Sequence, residues 1–97
     1  MANTLLSIQV IPKTPGNENS YAYVDKAIEV IQRSGVKYQV HPLETTMEGE
    51  LSDLLRIVQD MHEALIEAGS PSVISQIKIA HTPTGISMDT LTEKYRP

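Results

Sequence analysis

The sequence predicts an α+β sandwich whose elements run β-α-β-β-α-β, followed by one short helix. Three observations lead there. Apolar residues alternate with a period of two in three segments, and a fourth, Thr45 to Glu50, sends Met47 to one side and Thr46 and Glu48 to the other, which marks strands. Two longer segments carry apolar residues at helical spacing, and each ends at a glycine. The two β-α halves are similar in length and follow one another without a repeat or low-complexity tract. A right-handed split βαβ crossover and its repetition give a ferredoxin-like fold. In that fold both helices cover one face of a four-stranded antiparallel sheet.

Each element has a local reason. Thr4 to Ile11 places Leu6, Ile8 and Val10 on one face and Leu5, Ser7, Gln9 and Ile11 on the other. Pro12 and the run TPGN (Thr14 to Asn17) end this strand. A helix is expected from about Glu18 to Ser34, with Val24, Ala27, Ile28 and Ile31 inward, Asn17 as N-cap and Gly35 just past the end. Val36, Tyr38 and Val40 then alternate with Lys37, Gln39 and His41 in a second strand that Pro42 stops. Thr45 to Glu50 forms a short third strand, with Gly49 expected to let the chain turn sharply into the next helix.

That second helix runs from about Leu51 to Ala68, its stripe formed by Leu51, Leu54, Leu55, Val58, His62 and Leu65, and Gly69 closes it. Pro71 to His81 is the fourth strand, with Val73, Ser75, Ile77 and Ile79 on one face and Ile74, Gln76, Lys78 and Ala80 on the other. Thr82 to Gly85 is a turn, and Ser87 to Arg96 a short terminal helix. The first and third strands lie in the centre, so Ser7 and Gln9 are expected beside Thr46 and Glu48. The face away from the helices has no covering element of its own, yet it carries Leu5, Ile11 and Ile74. Such a mixed face suits a second sheet packed against it, so a homo-oligomer is expected.

Composition narrows the function classes. With 97 residues the chain makes one domain spanning 1–97. A domain of this size buries roughly 65% of its unfolded surface, and its modest core gains from association. All four aromatic residues are tyrosines (Tyr21, Tyr23, Tyr38 and Tyr95), so the core is mainly aliphatic. Eight basic and 12 acidic residues, well mixed, give a net charge of -4. A nucleic-acid surface would need a basic stripe, and a membrane-surface contact a polybasic cluster; neither is present. RNA binders of similar topology place aromatics on the open sheet face, whereas the parity of Tyr38 points it to the core. Cysteine is absent, which removes disulfides, thiolate metal sites and cysteine nucleophiles. The opening MANTLLSIQVIPK lacks the basic region of a signal peptide, and no apolar run spans a membrane. A cytoplasmic location is the expectation.

The best site candidate is Ser7, Gln9, Thr46 and Glu48, with Thr45 at the strand entrance. Enclosed between sheets, these side chains offer hydroxyl and amide groups plus one carboxylate. Such a set can read the edge of a nitrogen heterocycle, the carboxylate taking a ring N–H while hydroxyl and amide groups meet an exocyclic amine. The competing reading is a solvated face with threonine present for strand propensity. His41, His62 and His81 come from different elements with no metal-ligand spacing, and His62 reads as a hydrogen-bonded core histidine. Glu48 and Glu50 share a strand face, so a carboxylate pair is geometrically available. No nucleophile elbow, phosphate loop or dinucleotide fingerprint occurs. Neither a cofactor nor catalysis is expected.

The stretches SGVKYQVHPLETTMEGEL and QIKIAHTPTGISMDTLTEKYRP carry a resemblance. The motif SG-x-x-Y-x-(apolar)-x-P, a Thr-rich turn and (apolar)-E-G-E is filled by Ser34, Gly35, Tyr38, Pro42, Thr45, Met47, Glu48, Gly49 and Glu50. The chain resembles the small thiamine-binding protein family over essentially its whole length. The resemblance implies a ferredoxin-like fold assembled as dimers of dimers, a homotetramer. It further implies non-catalytic binding of thiamine or its hydroxymethylpyrimidine part, with Thr45, Thr46 and Glu48 at the pyrimidine site. The chain departs from the family pattern at Glu44, Ser72 and Ala80, differences that bear on ligand identity and affinity more than on fold. A second reading, from a different class, is a structural or regulatory interaction module whose open face meets only protein.

Overall fold

The computed structural model describes residues 2–16 and 19–96. Its elements are β1 (Thr4–Pro12), α1 (Ser20–Ser34), β2 (Lys37–Val40), β3 (Thr45–Gly49), α2 (Leu51–Glu67), β4 (Val73–His81) and α3 (Met88–Thr92), extended by a 3₁₀ turn over Glu93–Tyr95. The strands form one antiparallel sheet in the order β2-β3-β1-β4, the ferredoxin-like arrangement with β1 and β3 in the centre.

The core lies between the sheet and α1/α2. From the strands it takes Leu6, Ile8 and Met47; from the helices Tyr23, Ala27, Ile31, Leu54, Ile57, Met61 and Leu65. Period-two alternation in β1 produces this directly, since Leu6 and Ile8 are buried while Leu5, Ser7 and Gln9 stay half-exposed. The stripe of α2 is rotated from the expected one. Ile57 and Met61 are buried, whereas Leu55 is exposed and His62 half-buried. Leu54, Ile57, Met61 and Leu65 sit at i, i+3, i+7 and i+11, the narrower seam that α1 and the sheet together enclose.

Helix termini follow ordinary capping chemistry. α1 starts at Ser20, with Asn19 as N-cap accepting from Tyr21 N at 2.9 Å. Asn19 offers the cap chemistry expected of Asn17, two residues later; Asn17 and Glu18 lie outside the described residues. Gly35 closes α1 in the left-handed region, at φ 81°. Glu50 leaves β3 and becomes the N-cap position of α2 without a side-chain cap bond. Asn3 supplies that bond from the start of β1, its Oδ1 accepting from Leu51 N at 3.0 Å. The turn into β4 is tied to β1 by buried Ser70, whose Oγ donates to the carbonyls of Lys13 (2.6 Å) and Ser72 (2.9 Å).

Gly49 departs from expectation. Its φ is not positive, so no left-handed turn leads into α2. Its role is close approach: a Cβ there would lie 3.2 Å from Cδ2 of fully buried Leu54. Replacing Gly49 by Ala is expected to overpack this contact and destabilise the fold by about 1–3 kcal/mol, read as a lower urea midpoint at unchanged slope. An unchanged midpoint would show that Leu54 moves aside freely.

Candidate ligand-binding site

The sheet register assembles the candidate face row by row. Ser7 stands opposite Thr46 on one side and Lys78 on the other, while Gln39 of β2 flanks Thr46. The row therefore reads Gln39, Thr46, Ser7, Lys78. The next row is Lys37, Glu48, Leu5, Ala80. On the other side of Ser7, Gln9 faces Gln76, and Ile11 then faces Ile74 at the margin.

Within this frame Ser7 Oγ and Thr46 Oγ1 are hydrogen-bonded at 2.6 Å, so the expected pairing of Ser7 with Thr46 is observed. Gln9 is not beside Glu48. In an antiparallel pair one strand advances as the other retreats, so Leu5 takes the position opposite Glu48. Gln9 instead borders a shallow depression shared with Glu44, Gln76 and Lys78. Thr45 points to the other side of the sheet. It is buried opposite Ile8 and lines a cleft of about 390 Å³ whose walls include Val24, Ile28, Val40 and Leu43. Parity alone requires this, since neighbours in a strand face opposite ways. The structure brings Ser7, Thr46 and Glu48 onto one surface, with Gln9 at its edge and Thr45 beneath it.

That surface is not wholly uncovered. Beyond β4, Thr82 N donates to Asn3 O (2.7 Å) and Ile86 N to Ala2 O (3.1 Å), carrying the chain across the end of β1. α3 then settles against the β3-β2 corner. Met88 is buried yet outside the helix-side core, and its backbone N–H donates to Glu48 Oε1 at 2.8 Å. Glu48 thus accepts from the first turn of α3, where a carboxylate is favoured by the helix dipole.

Both strand lysines on this face are engaged by acids. Lys78 Nζ lies 3.4 Å from Glu44 Oε1. Lys37 pairs with Asp89, which also accepts from Arg96 at 2.7 Å. The hydrogen bond from Lys37, then that from Arg96, lowers the Asp89 carboxyl to about 2, and the same contact raises the Lys37 ammonium. Glu48, half-buried between these pairs, has no ion-pair partner among the described residues. Gln39 and Lys37, like Lys78 and Gln76, are face residues that sequence reading left out of the site. Strand parity had put Gln39 and Lys37 on the correct side, and only the β2–β3 register sets them against Thr46 and Glu48.

The histidines do not converge. His62 Nε2 lies 2.9 Å from Ser75 Oγ, as suits a half-buried structural histidine, and His81 Nδ1 lies 2.9 Å from buried Thr4 Oγ1. Glu50 does not form a strand pair with Glu48, because it has left the ladder for the cap of α2. Among the described residues no group of three or more acidic or histidine side chains is placed to hold a metal, and no helix is long and apolar enough to cross a membrane.

A family profile described as Thiamine-binding protein matches residues 6–96. The chain belongs to the thiamine-binding protein family. Among relatives, a UPF0045 protein of Clostridium perfringens is 45% identical over 91 residues, covering 94% of this chain and 95% of the relative. A UPF0045 protein of Bacillus subtilis is 38% identical, covering 77% and 76%. Among solved structures, a domain of unknown function from Bacillus cereus superposes with a TM-score of 0.90 at 42% identity, covering 98% of this chain and 92% of that one. A Thermotoga maritima protein, provisionally named for thiamine biosynthesis or salvage, superposes at 0.86 with 31% identity, covering 97% and 99%. These neighbours share the ferredoxin-like arrangement. The family assignment supports thiamine-related binding as the function class of this thiamine-binding-family chain.

The Asp89 network makes a pH prediction. A carboxyl whose folded pKa is depressed stabilises the fold above its unfolded value of 3.8 and loses that contribution as pH falls towards about 2. The anchoring of α3 is therefore expected to weaken over that window. NMR line shapes of the Asp89 and Lys37 amides should report it, and Asp89→Asn should remove the transition. A transition unchanged in that variant would assign it to another carboxylate.

Proposed function

We propose that the open face binds thiamine through its aminopyrimidine ring, without catalysis, and that the sheet of a second copy closes the pocket. The observation that carries this reading is Glu48, a half-buried carboxylate that forms no ion pair among the described residues, its cross-strand neighbour Lys37 being bonded to Asp89, beside the bonded Ser7–Thr46 hydroxyls. Thiamine carries a fixed positive charge on one ring and a hydrogen-bonding edge on the other. Glu48 Oε1 is held by Met88 N–H, which orients the carboxylate and leaves Oε2 for an amino or protonated ring nitrogen. Gln39 and Ser7–Thr46 supply neutral donors and acceptors along the same row. Leu5, Ile11 and Ile74 frame the polar centre with apolar surface on the same face, which supports closure by a second sheet.

A melting comparison with thiamine, its phosphates and hydroxymethylpyrimidine is the first test. A ligand at 100-fold excess over its dissociation constant stabilises by about 2.7 kcal/mol. If none of them shifts the transition, the face is a protein-contact surface and the ligand reading fails. Given a ligand, Glu48→Gln is expected to weaken binding by about 1.5–3 kcal/mol in titration calorimetry, the usual worth of a hydrogen bond to a charged group. Thr46→Val, which keeps shape and loses the hydroxyl, should cost about 0.5–1.5 kcal/mol. Binding as tight as the parent in both variants would remove this face from the site. Incubation with the pure protein should return thiamine unchanged by chromatography.

A further inference from the structure

We propose that Asp89 is a positioning residue, which draws Lys37 away from Glu48 and so keeps the open face selective for a cationic, unphosphorylated ligand. The inference rests on the ligand reading given above and assigns a residue that sets its specificity. The sheet register creates the need for such a residue. Lys37 of β2 stands directly opposite Glu48 of β3. Side chains so opposed hold their Cβ atoms about 4.5–5.5 Å apart, and opposite charges at that spacing ordinarily pair across the ladder. The flexible four-carbon stem of a lysine spans the gap. Lys37 nevertheless pairs with Asp89, and Glu48 forms no ion pair among the described residues.

α3 parts the two charges with successive residues. Met88 donates its backbone N–H to Glu48 Oε1 at 2.8 Å, and Asp89 accepts from Lys37. One residue holds the acid and the next holds the base. Asp89 is fixed at both oxygens, since Oδ2 accepts from Lys37 and Oδ1 from Arg96 at 2.7 Å. Arg96 also reaches Thr92 Oγ1 at 3.3 Å, and that hydroxyl donates to the Met88 carbonyl at 2.8 Å. The circuit of contacts returns to the residue that holds Glu48. The bond to Asp89 is the main cause that raises the Lys37 ammonium, while the charge of Glu48 adds less. Glu48 is thus within electrostatic reach of Lys37 but is not its partner.

The margin is small enough for one substitution to reverse it. The Lys37 and Asp89 side chains are 45% and 46% exposed, and a pair so exposed is weak. Without the Asp89 charge, Lys37 is left facing its cross-strand acid. A Lys37–Glu48 pair would occupy the carboxylate that the ligand needs and set an ammonium against a cationic ring. The same acid bears on phosphate. A phosphate ester is held best by a cation free to form charge-assisted hydrogen bonds. Neither strand lysine of this face is free, because Lys78 lies 3.4 Å from Glu44 and Lys37 shares Asp89 with Arg96. Asp89 therefore withholds two cations from an anionic ligand while it leaves one carboxylate for a cationic one.

Titration calorimetry with thiamine and thiamine monophosphate tests this on the intact protein. The parent is expected to bind thiamine more tightly than its monophosphate. Asp89→Asn should weaken thiamine binding about two- to fivefold, the reach of an exposed ion pair, and narrow that preference. Adding Lys37→Gln should then recover affinity, by at least twofold more than the same exchange achieves in the parent, the non-additivity of a direct contact. Equal effects of Lys37→Gln in the two backgrounds would leave only a general charge effect, and no recovery would make Asp89 a mere mooring of α3. Either result overturns the proposal, as does a parent that prefers the monophosphate. A second readout needs no ligand. The Glu48 carboxyl carbon, followed by NMR, should shift in Asp89→Asn and return towards its parent position in the double variant. If the parent binds neither probe, the binding reading fails, and this carbon signal still decides whether Asp89 diverts Lys37.

Discussion

The register of β1 is the constraint on which the rest of the molecule depends. It is one of the two central strands, pairing with β3 along one edge and, over its whole length, with β4 along the other. Leu6 and Ile8 are fixed in the core, and the side-chain period is two, so a one-residue slip would bury Ser7 and Gln9 while exposing both aliphatics. Losing two buried aliphatic side chains costs about 3–6 kcal/mol by area, a large share of what a chain this small can have. The aliphatic face therefore sets the position of the polar one. Ser7 meets Thr46 because Leu6 must meet Met47.

The placement of α3 rests on a different balance. Its ion pairs, Lys37–Asp89 and Arg96–Asp89, are about half-exposed, and such pairs are screened by salt and contribute little individually. Burial of Met88, the two backbone bonds to residues 2 and 3, and the charge-assisted bond to Glu48 hold the segment more firmly. The ion pairs mainly choose which corner of the sheet α3 occupies. By engaging Lys37, they also leave Glu48 as the carboxylate without an ion pair on that face.

Element identity was legible in the sequence because strand parity and helix spacing are local properties. The inward set Leu6, Ile8 and Met47 follows from them directly, and the order β2-β3-β1-β4 and the Ser7–Thr46 neighbourhood follow once the split βαβ crossover is repeated. Three things were not legible, each for a physical reason. The stripe of α2 is wide enough to place either Leu55 and His62 or Ile57 and Met61 inward, and only docking against α1 and the sheet selects the latter. The coverage of Glu48 by α3 is a long-range contact between residues 40 positions apart, which no periodicity encodes. Thr45 was grouped with Thr46 as the residue at the strand entrance, a grouping the family motif repeats, although a strand must send adjacent side chains to opposite faces. A motif preserves sequence neighbours. A binding surface is made of neighbours two apart and across the ladder.

The two faces of the sheet differ in chemistry, and the difference separates stability from the proposed recognition. The open face is polar at its centre, with Lys37 and Lys78 engaged by Asp89 and Glu44 while Glu48 forms no ion pair among the described residues. A carboxylate kept out of an ion pair can meet a protonated or cationic heterocycle by a charge-assisted hydrogen bond, as proposed for this face. The helix-side face contributes Leu6, Ile8 and Met47 to the core. Glu48 is the strand neighbour of buried Met47 and points the other way, so a glutamine at position 48 is expected to change the proposed recognition and leave the core packing intact.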